Sequence, residues 1–200
     1  MLIRIFAVFC LLIMVQPAMA DEKSNVEQLI KNRFDGVISV LRAKQMGDQD
    51  KRNKITEIIT PIFDFELMSK LTLGKANWTS LPKDKRVKFQ QLFIEWLKQS
   101  YLDKMSLYTD ETIAYEPAVV QNKRAQIPVL LISKENKIKM VYKLYSSGGK
   151  WKIYDFEIEG VSIIQTYRSQ FDQILRAGTI DDLLKKLEKP EDKPTKSIQK

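Results

Sequence analysis

The chain has 200 residues, a formal net charge of +8, no histidine and one cysteine. Without histidine there is no Ser-His-Asp or Cys-His arrangement and none of the commonest zinc or copper ligand. Seven glycines form neither a GxGxxG fingerprint nor a P-loop to cradle phosphates, so carboxylates, tyrosine and lysine are the only enzymatic chemistry left.

Arg4, the apolar run Ile5–Val15 and the small-x-small end Ala18-Met19-Ala20 read as a secretory leader over residues 1–20, cleaved after Ala20. Cys10 lies inside the apolar run and leaves with it, so the exported chain is expected to hold no disulfide or Cys-ligated metal. Residues 21–187 then form one domain and residues 188–200 a disordered basic tail. The basic balance suits an anionic membrane surface or an acidic protein. Nucleic acid is not expected, because Lys83, Lys85, Arg86 and Lys88 alternate with acids and no aromatic platform follows them.

Ser24-Asn25-Val26-Glu27 has the form of a capping box opening a first helix, with Val26, Leu29, Ile30, Phe34, Val37, Ile38 and Leu41 on its apolar side. A shorter helix follows over Asp50–Ile59. Asp64 reads as the N-cap of the next, with Phe63 and Met68 placed as a staple and Gly74 ending it. Pro82 announces the strongest helix, whose apolar positions Phe89, Leu92, Phe93, Trp96, Leu97, Tyr101, Met105 and Tyr108 recur at spacings of three and four.

From Glu111 the period becomes two. Runs near Glu111–Val120, Lys123–Ser133, Lys137–Ser146 and Lys150–Ile158, separated by short polar turns, predict a four-stranded antiparallel meander. Pro128 implies a bulge or an edge location in the second run. In the last, Trp151 and Ile153 alternate out of phase with Tyr154, Phe156 and Ile158, which implies a bulge or two covered faces. A helix over Val161–Ala177 closes at Gly178, and Thr179-Ile180-Asp181-Asp182 opens a short one to Leu187. The order predicts an α+β fold, with helices packed on one face of a curved sheet.

The long helix, the sheet and the last helices carry more apolar surface than simple packing needs, either as a large aromatic core or as the lining of a cavity. The stretches "FDFELMSKLTLGKANW", "FQQLFIEWLKQSYLDKMSLY" and "WKIYDFEIEGVSIIQTYRSQF" resemble the MlaC-like family, the toluene-tolerance auxiliary proteins, from about Val26 to Leu187. The last is the most specific, through Trp151, Tyr154, Asp155, Glu159-Gly160-Val161-Ser162, Tyr167-Arg168 and Phe171.

The resemblance implies a nuclear-transport-factor-like body with an interior apolar pocket between sheet and helices. It further implies a periplasmic phospholipid carrier that maintains outer-membrane lipid asymmetry in a Gram-negative bacterium. Its partners would be an outer-membrane lipoprotein complex and an inner-membrane MCE-domain ABC transporter complex, met by transient docking. It would act as a monomer, with phospholipid as cargo and without cofactor, metal or catalytic residue.

Candidate lipid-binding residues are Phe93, Leu97, Tyr101, Tyr108, Met140, Tyr142, Tyr154, Tyr167 and Phe171. Arg168 is the candidate headgroup contact, with a salt bridge to Asp155 or another nearby acid as the alternative. Two other readings stay open. One is an enzyme acting on an apolar small molecule through Asp155 and Glu159, and the other is a periplasmic chaperone with an exposed apolar groove.

Overall fold

The computed structural model describes residues 17–105, 112–133 and 137–189; the leader through residue 16, Tyr108 and the tail from residue 190 lie outside the described residues. Helix α1 spans Pro17–Leu41, α2 Asp48–Ile59, α3 Phe65–Leu73, α4 Lys75–Ser80 and α5 Lys83–Met105, with a 3-10 turn over Thr60–Ile62. Strands β1 Thr112–Tyr115, β2 Val119–Gln121, β3 Arg124–Ile132, β4 Lys137–Ser147, β5 Lys150–Ile158 and β6 Val161–Ser162 precede α6 Ile163–Ala177 and α7 Ile180–Glu188. Among the described residues no helix is long and apolar enough to cross a membrane.

Local chemistry sets most of these boundaries. The Leu67 amide donates to Asp64 Oδ1 at 2.8 Å, capping α3. Thr179 and Asp182 exchange both bonds of a capping box at the start of α7. Ser24-Asn25-Val26-Glu27 does not start a helix, because α1 runs unbroken through it from Pro17. The intervening Ala, Met, Glu and Lys are good helix formers, so the turn continues.

All strands belong to one antiparallel sheet in the order β1-β3-β4-β5-β6, with β2 also on β3. The expected four runs are present, but the first is divided into β1 and β2, and two residues of β6 are added at the far edge. Pro117 lies in the break itself and cannot donate there, and Pro128 lies across from it. Pro128 sits mid-strand, paired with Val141, and its carbonyl accepts from the Glu116 amide at 3.1 Å. Tyr115 pairs with Val129 but Val119 with Gln126, so Glu116, Pro117 and Ala118 face only Ile127 and Pro128. Pro128 is thus not on an edge strand but opposite a bulge. Past the break the Ala118 amide donates to Glu27 Oε1 of α1 at 2.7 Å.

The phase change in β5 is a bulge. Register shifts at Lys143/Leu144, with Asp155 opposite Lys143 and Ile153 opposite Leu144, so Tyr154 is the extra residue. The insertion returns Phe156 and Ile158 to the face of Trp151 and Ile153. One inner face therefore carries Tyr115, Ile127, Val129, Met140, Tyr142, Leu144, Trp151, Ile153, Phe156 and Ile158, and the helices pack against it.

Chain reversal into α6 depends on Asp155, which is only 6 % exposed. Glu159 and Gly160 both have positive φ, at 50° and 78°, forming the tight turn between β5 and β6. Beyond it Ser162 caps α6, accepting from the Gln165 amide at 3.1 Å and donating to Asp155 Oδ2 at 2.8 Å. The Ile164 amide donates to Asp155 Oδ1 at 3.2 Å, and Lys143 Nζ lies 3.3 Å from Oδ2. Removing this carboxylate strips donors buried around it, so Asp155→Ala is expected to lower the unfolding free energy by about 3 kcal/mol. Ser162→Ala, which leaves the carboxylate in place, is expected to lower it by about 1 kcal/mol. Urea unfolding followed by circular dichroism compares them, and equal losses would contradict the central role given to Asp155.

Candidate functional site

The helices cover the inner face in two main pieces. Val26, Ile30 and Phe34 of α1 pack with Ala118, Ile127, Val129, Leu144, Trp151 and Ile153. Helices α3 to α7 build a second cluster around Met68, Phe89, Phe93, Trp96, Tyr167 and Phe171, with Phe156 as its sheet contribution. A smaller third cluster joins Val37 and Leu41 to Ile55 of α2. The two main clusters meet at Phe63 and Tyr142, which flank both.

Along that seam the side chains are aromatic and incompletely covered. The Tyr142 ring centroid is 4.6 Å from Phe34 of α1 and 6.0 Å from Phe156 of β5. Phe156 in turn meets Tyr101 of α5 edge-on at 5.4 Å and Phe63 at 6.4 Å. Met140 Sδ lies 3.7 Å from the Tyr142 hydroxyl. Tyr101, Tyr115, Met140, Tyr142 and Ile158 are all partly exposed, although the clusters on both sides are closed. Burial nevertheless raises the phenols of Tyr142 and Tyr101, the latter helped by the neighbouring Tyr167.

The candidate residues fall into distinct places. Phe93, Leu97, Tyr167 and Phe171 are closed core, 0 %, 6 %, 3 % and 1 % exposed. Their rings meet edge to face, Phe93 lying 5.5 Å from Tyr167 and 5.9 Å from Phe171, so they form a solid wall behind the seam. Tyr101, Met140 and Tyr142 line the seam itself. Tyr154 stands apart, since the bulge turns it away from Phe156 and its ring packs on Tyr145 at 6.1 Å. Tyr108 lies outside the described residues.

Arg168 is exposed; its Nε is 3.9 Å from Asp172 Oδ2 and its guanidinium lies near Gly74, so it pairs with an acid of its own helix and not with Asp155. Sequence reading passed over Phe34, Phe63, Phe156, Ile158 and Tyr115 as site residues. Phe34 was visible on the apolar side of α1, but only the sheet shows which rings it meets.

A depression of about 850 Å3 lies elsewhere, over the start of α5, lined by Lys83, Asp84, Val87, Lys88 and Gln91. Its size would suit a lipid tail, but four of its five lining residues are charged or amide side chains on an exposed helical face. The seam joins aromatic side chains from several elements; the depression is an open dip on one exposed helical face.

The family model for MlaC protein matches residues 31–189. The chain belongs to the MlaC family. It is similar to the intermembrane phospholipid transport system binding protein MlaC of Haemophilus influenzae, 23 % identical over 176 residues that cover 83 % of this chain and 82 % of the relative. The toluene tolerance protein ttg2D of Pseudomonas putida is 26 % identical over 127 residues, 62 % of this chain, which spans only 59 % of that relative's length. Among solved structures, the phospholipid-binding protein of Ralstonia solanacearum, in complex with a phospholipid, superposes with a TM-score of 0.73 at 20 % identity, over 81 % of this chain and 94 % of that one. The α+β architecture is thus an MlaC family fold.

In this MlaC family member the raised phenols have a readable consequence. The folded seam keeps protons that an unfolded chain gives up near pH 10, so their stabilisation is whole below about pH 10 and is lost as pH rises beyond it. Unfolding free energy is expected to be level from neutral pH to about pH 10 and to fall above it. Native tyrosinate absorbance should show a late-ionising fraction that shrinks in Tyr142→Phe; an unchanged titration would place Tyr142 outside any recess.

Proposed function

We propose that this protein is a periplasmic phospholipid carrier, holding acyl chains in the aromatic seam between the α1 cluster and the α3–α7 cluster. The observation that carries the reading is the seam itself: aromatic and aliphatic side chains left partly exposed between two closed clusters, in a fold shared with a protein solved bound to phospholipid. Tyr101, Met140 and Tyr142, joined by Phe34, Phe156 and Ile158, line the tail site, and Phe93, Leu97, Tyr167 and Phe171 form its floor.

The energetics fit a carrier. Each methylene removed from water contributes about 0.8 kcal/mol, so a chain of about fourteen represents on the order of 10 kcal/mol that an aqueous crossing would otherwise cost. Met140 lets the wall adapt to chains of different length and unsaturation. A grip of that size needs help to release. Docking on an inner-membrane ABC transporter complex favours a state in which the sheet and helices separate along the seam, and an outer-membrane lipoprotein complex supplies the other end of the route. The enzyme reading has no matching observation: three donors occupy the Asp155 carboxylate and the Lys139 amide donates to Glu159, both outside the seam.

Solvent extraction and mass spectrometry of purified protein are expected to recover diacyl phospholipid in near-stoichiometric amount. Met140→Glu places a charge in the apolar lining and is expected to reduce the recovered lipid at least about tenfold with circular dichroism unchanged. Val87→Glu, in the surface depression over α5, should leave it unchanged. Lipid loss in the second variant but not the first would move the site out of the seam.

A further inference from the structure

Behind Tyr101 the wall of the seam holds polar atoms that packing does not explain. Trp96 Nε1 and Ser100 Oγ are buried without a hydrogen-bond partner, in residues only 6 % and 3 % exposed. Four positions apart on α5, the two side chains share a face. Trp96 meets Tyr167 of α6, ring centroids 6.0 Å apart. The hydroxyls of Ser100 and Tyr101 both act on the Tyr167 phenol, lowering its pKa against the larger, raising effect of burial. Ser100 is thus near enough to be felt by Tyr167, but not in hydrogen-bond geometry, and its proton is left unplaced.

An indole N–H only donates, and each hydroxyl brings one donor. The side chains packed around them, Phe93, Leu97, Phe156 and Phe171, offer no acceptor. The cluster therefore lacks an acceptor that carries no proton of its own. A water could accept from both orphans and donate back to the hydroxyl oxygens beside them, but it would leave the apolar side chains around it without hydrocarbon to pack against. A carbonyl oxygen accepts twice and donates nothing, and in an acyl ester it arrives attached to the hydrocarbon that this wall suits.

We propose that Trp96 Nε1 and Ser100 Oγ, with the hydroxyls of Tyr101 and Tyr167 beside them, are the donor site for an acyl carbonyl oxygen of the bound lipid. The assignment rests on the carrier reading above and adds to it a polar anchor point inside the apolar wall. Tyr101 is the gatepost: partly exposed, its ring lies against Phe156 in the seam and its hydroxyl against Tyr167. Turning that one side chain joins the seam to the orphan donors.

The test is competition binding to the full chain stripped of lipid, comparing diacyl phosphatidylethanolamine with its dialkyl ether analogue of equal chain length, which has no carbonyl. The wild type is expected to prefer the ester by about tenfold, the effect of leaving buried donors unpaired, and the Trp96→Phe/Ser100→Ala double variant to lose the preference. A free fatty acid paired with the fatty alcohol of equal length identifies the carbonyl's source. A preference confined to that pair and dependent on Trp96 and Ser100 assigns the site to a free acid in place of a glycerolipid ester.

Should the double variant fold poorly, the indole N–H resonance of Trp96 in the wild type decides, moving downfield with ester and not with ether. Equal binding of ester and ether by the wild type, discrimination that persists in a folded double variant, or an unmoved resonance overturns the donor site while leaving the carrier reading intact. Failure of both phospholipids to bind the wild type would remove the carrier reading instead.

Discussion

One sheet face has to be buried, and it is too broad for any single helix to cover. Strands β3 and β4 have nine and eleven residues, and at about 3.3 Å per residue they extend far beyond the roughly 10 Å width of a helix. The chain answers with two groups of helices. Helix α1 covers the β1–β3 side together with Leu144, Trp151 and Ile153, and α3 with α6 covers the Phe156 end of β5. Strand β4 lies between the groups, so Met140 and Tyr142 are where coverage is thinnest. The seam is a consequence of that geometry, and its chemistry follows from the residues that the strands place there.

The polar contacts that hold this arrangement lie around the seam and not in it. Glu27 accepts from the Ala118 amide at the break between β1 and β2, and Tyr115 donates to Asp35 Oδ1 at 2.8 Å, fixing α1 to the edge of the sheet. On the outer face Tyr145 donates to Asp64, which pushes its phenol up to about 12. Asp155 ties the strand end to the first turn of α6. With backbone and charged groups satisfied at the periphery, the inner face can stay apolar without an unpaired charge.

The two kinds of aromatic residue in the molecule do different work. Phe89, Phe93, Tyr167 and Phe171 interlock edge to face within a closed cluster, which resists deformation because each ring is held by several others. Phe34, Tyr142, Phe156 and Tyr101 form a single row reaching from α1 to α5, with partial exposure along it. A rigid wall behind a looser row lets one surface change shape while the rest of the domain keeps its own. The lack of histidine removes the usual side-chain switch between pH 5 and 8.

Helix order, the Asp64 and Thr179 caps, the turn at Gly160 and the four strand runs were legible in sequence, because each depends on residues within a few positions of one another. The apolar side of α1 was legible for the same reason. The bulge at Tyr154 was half legible: the phase change showed, but whether Phe156 faced inward depended on pairing with β4. Pro128 was legible as a sign of a bulge, but the break it faces and the bond from Ala118 to Glu27 were not, since they join residues far apart in the chain. Nor could periodicity divide Phe93 and Phe171 from Tyr101 and Tyr142. All four read as apolar positions on regular elements, and exposure is decided by neighbours such as Phe34 and Phe156 that only tertiary packing brings together. Local pattern determined which side chains turn inward; the fit of distant elements decided which of them are closed over and which stay partly exposed.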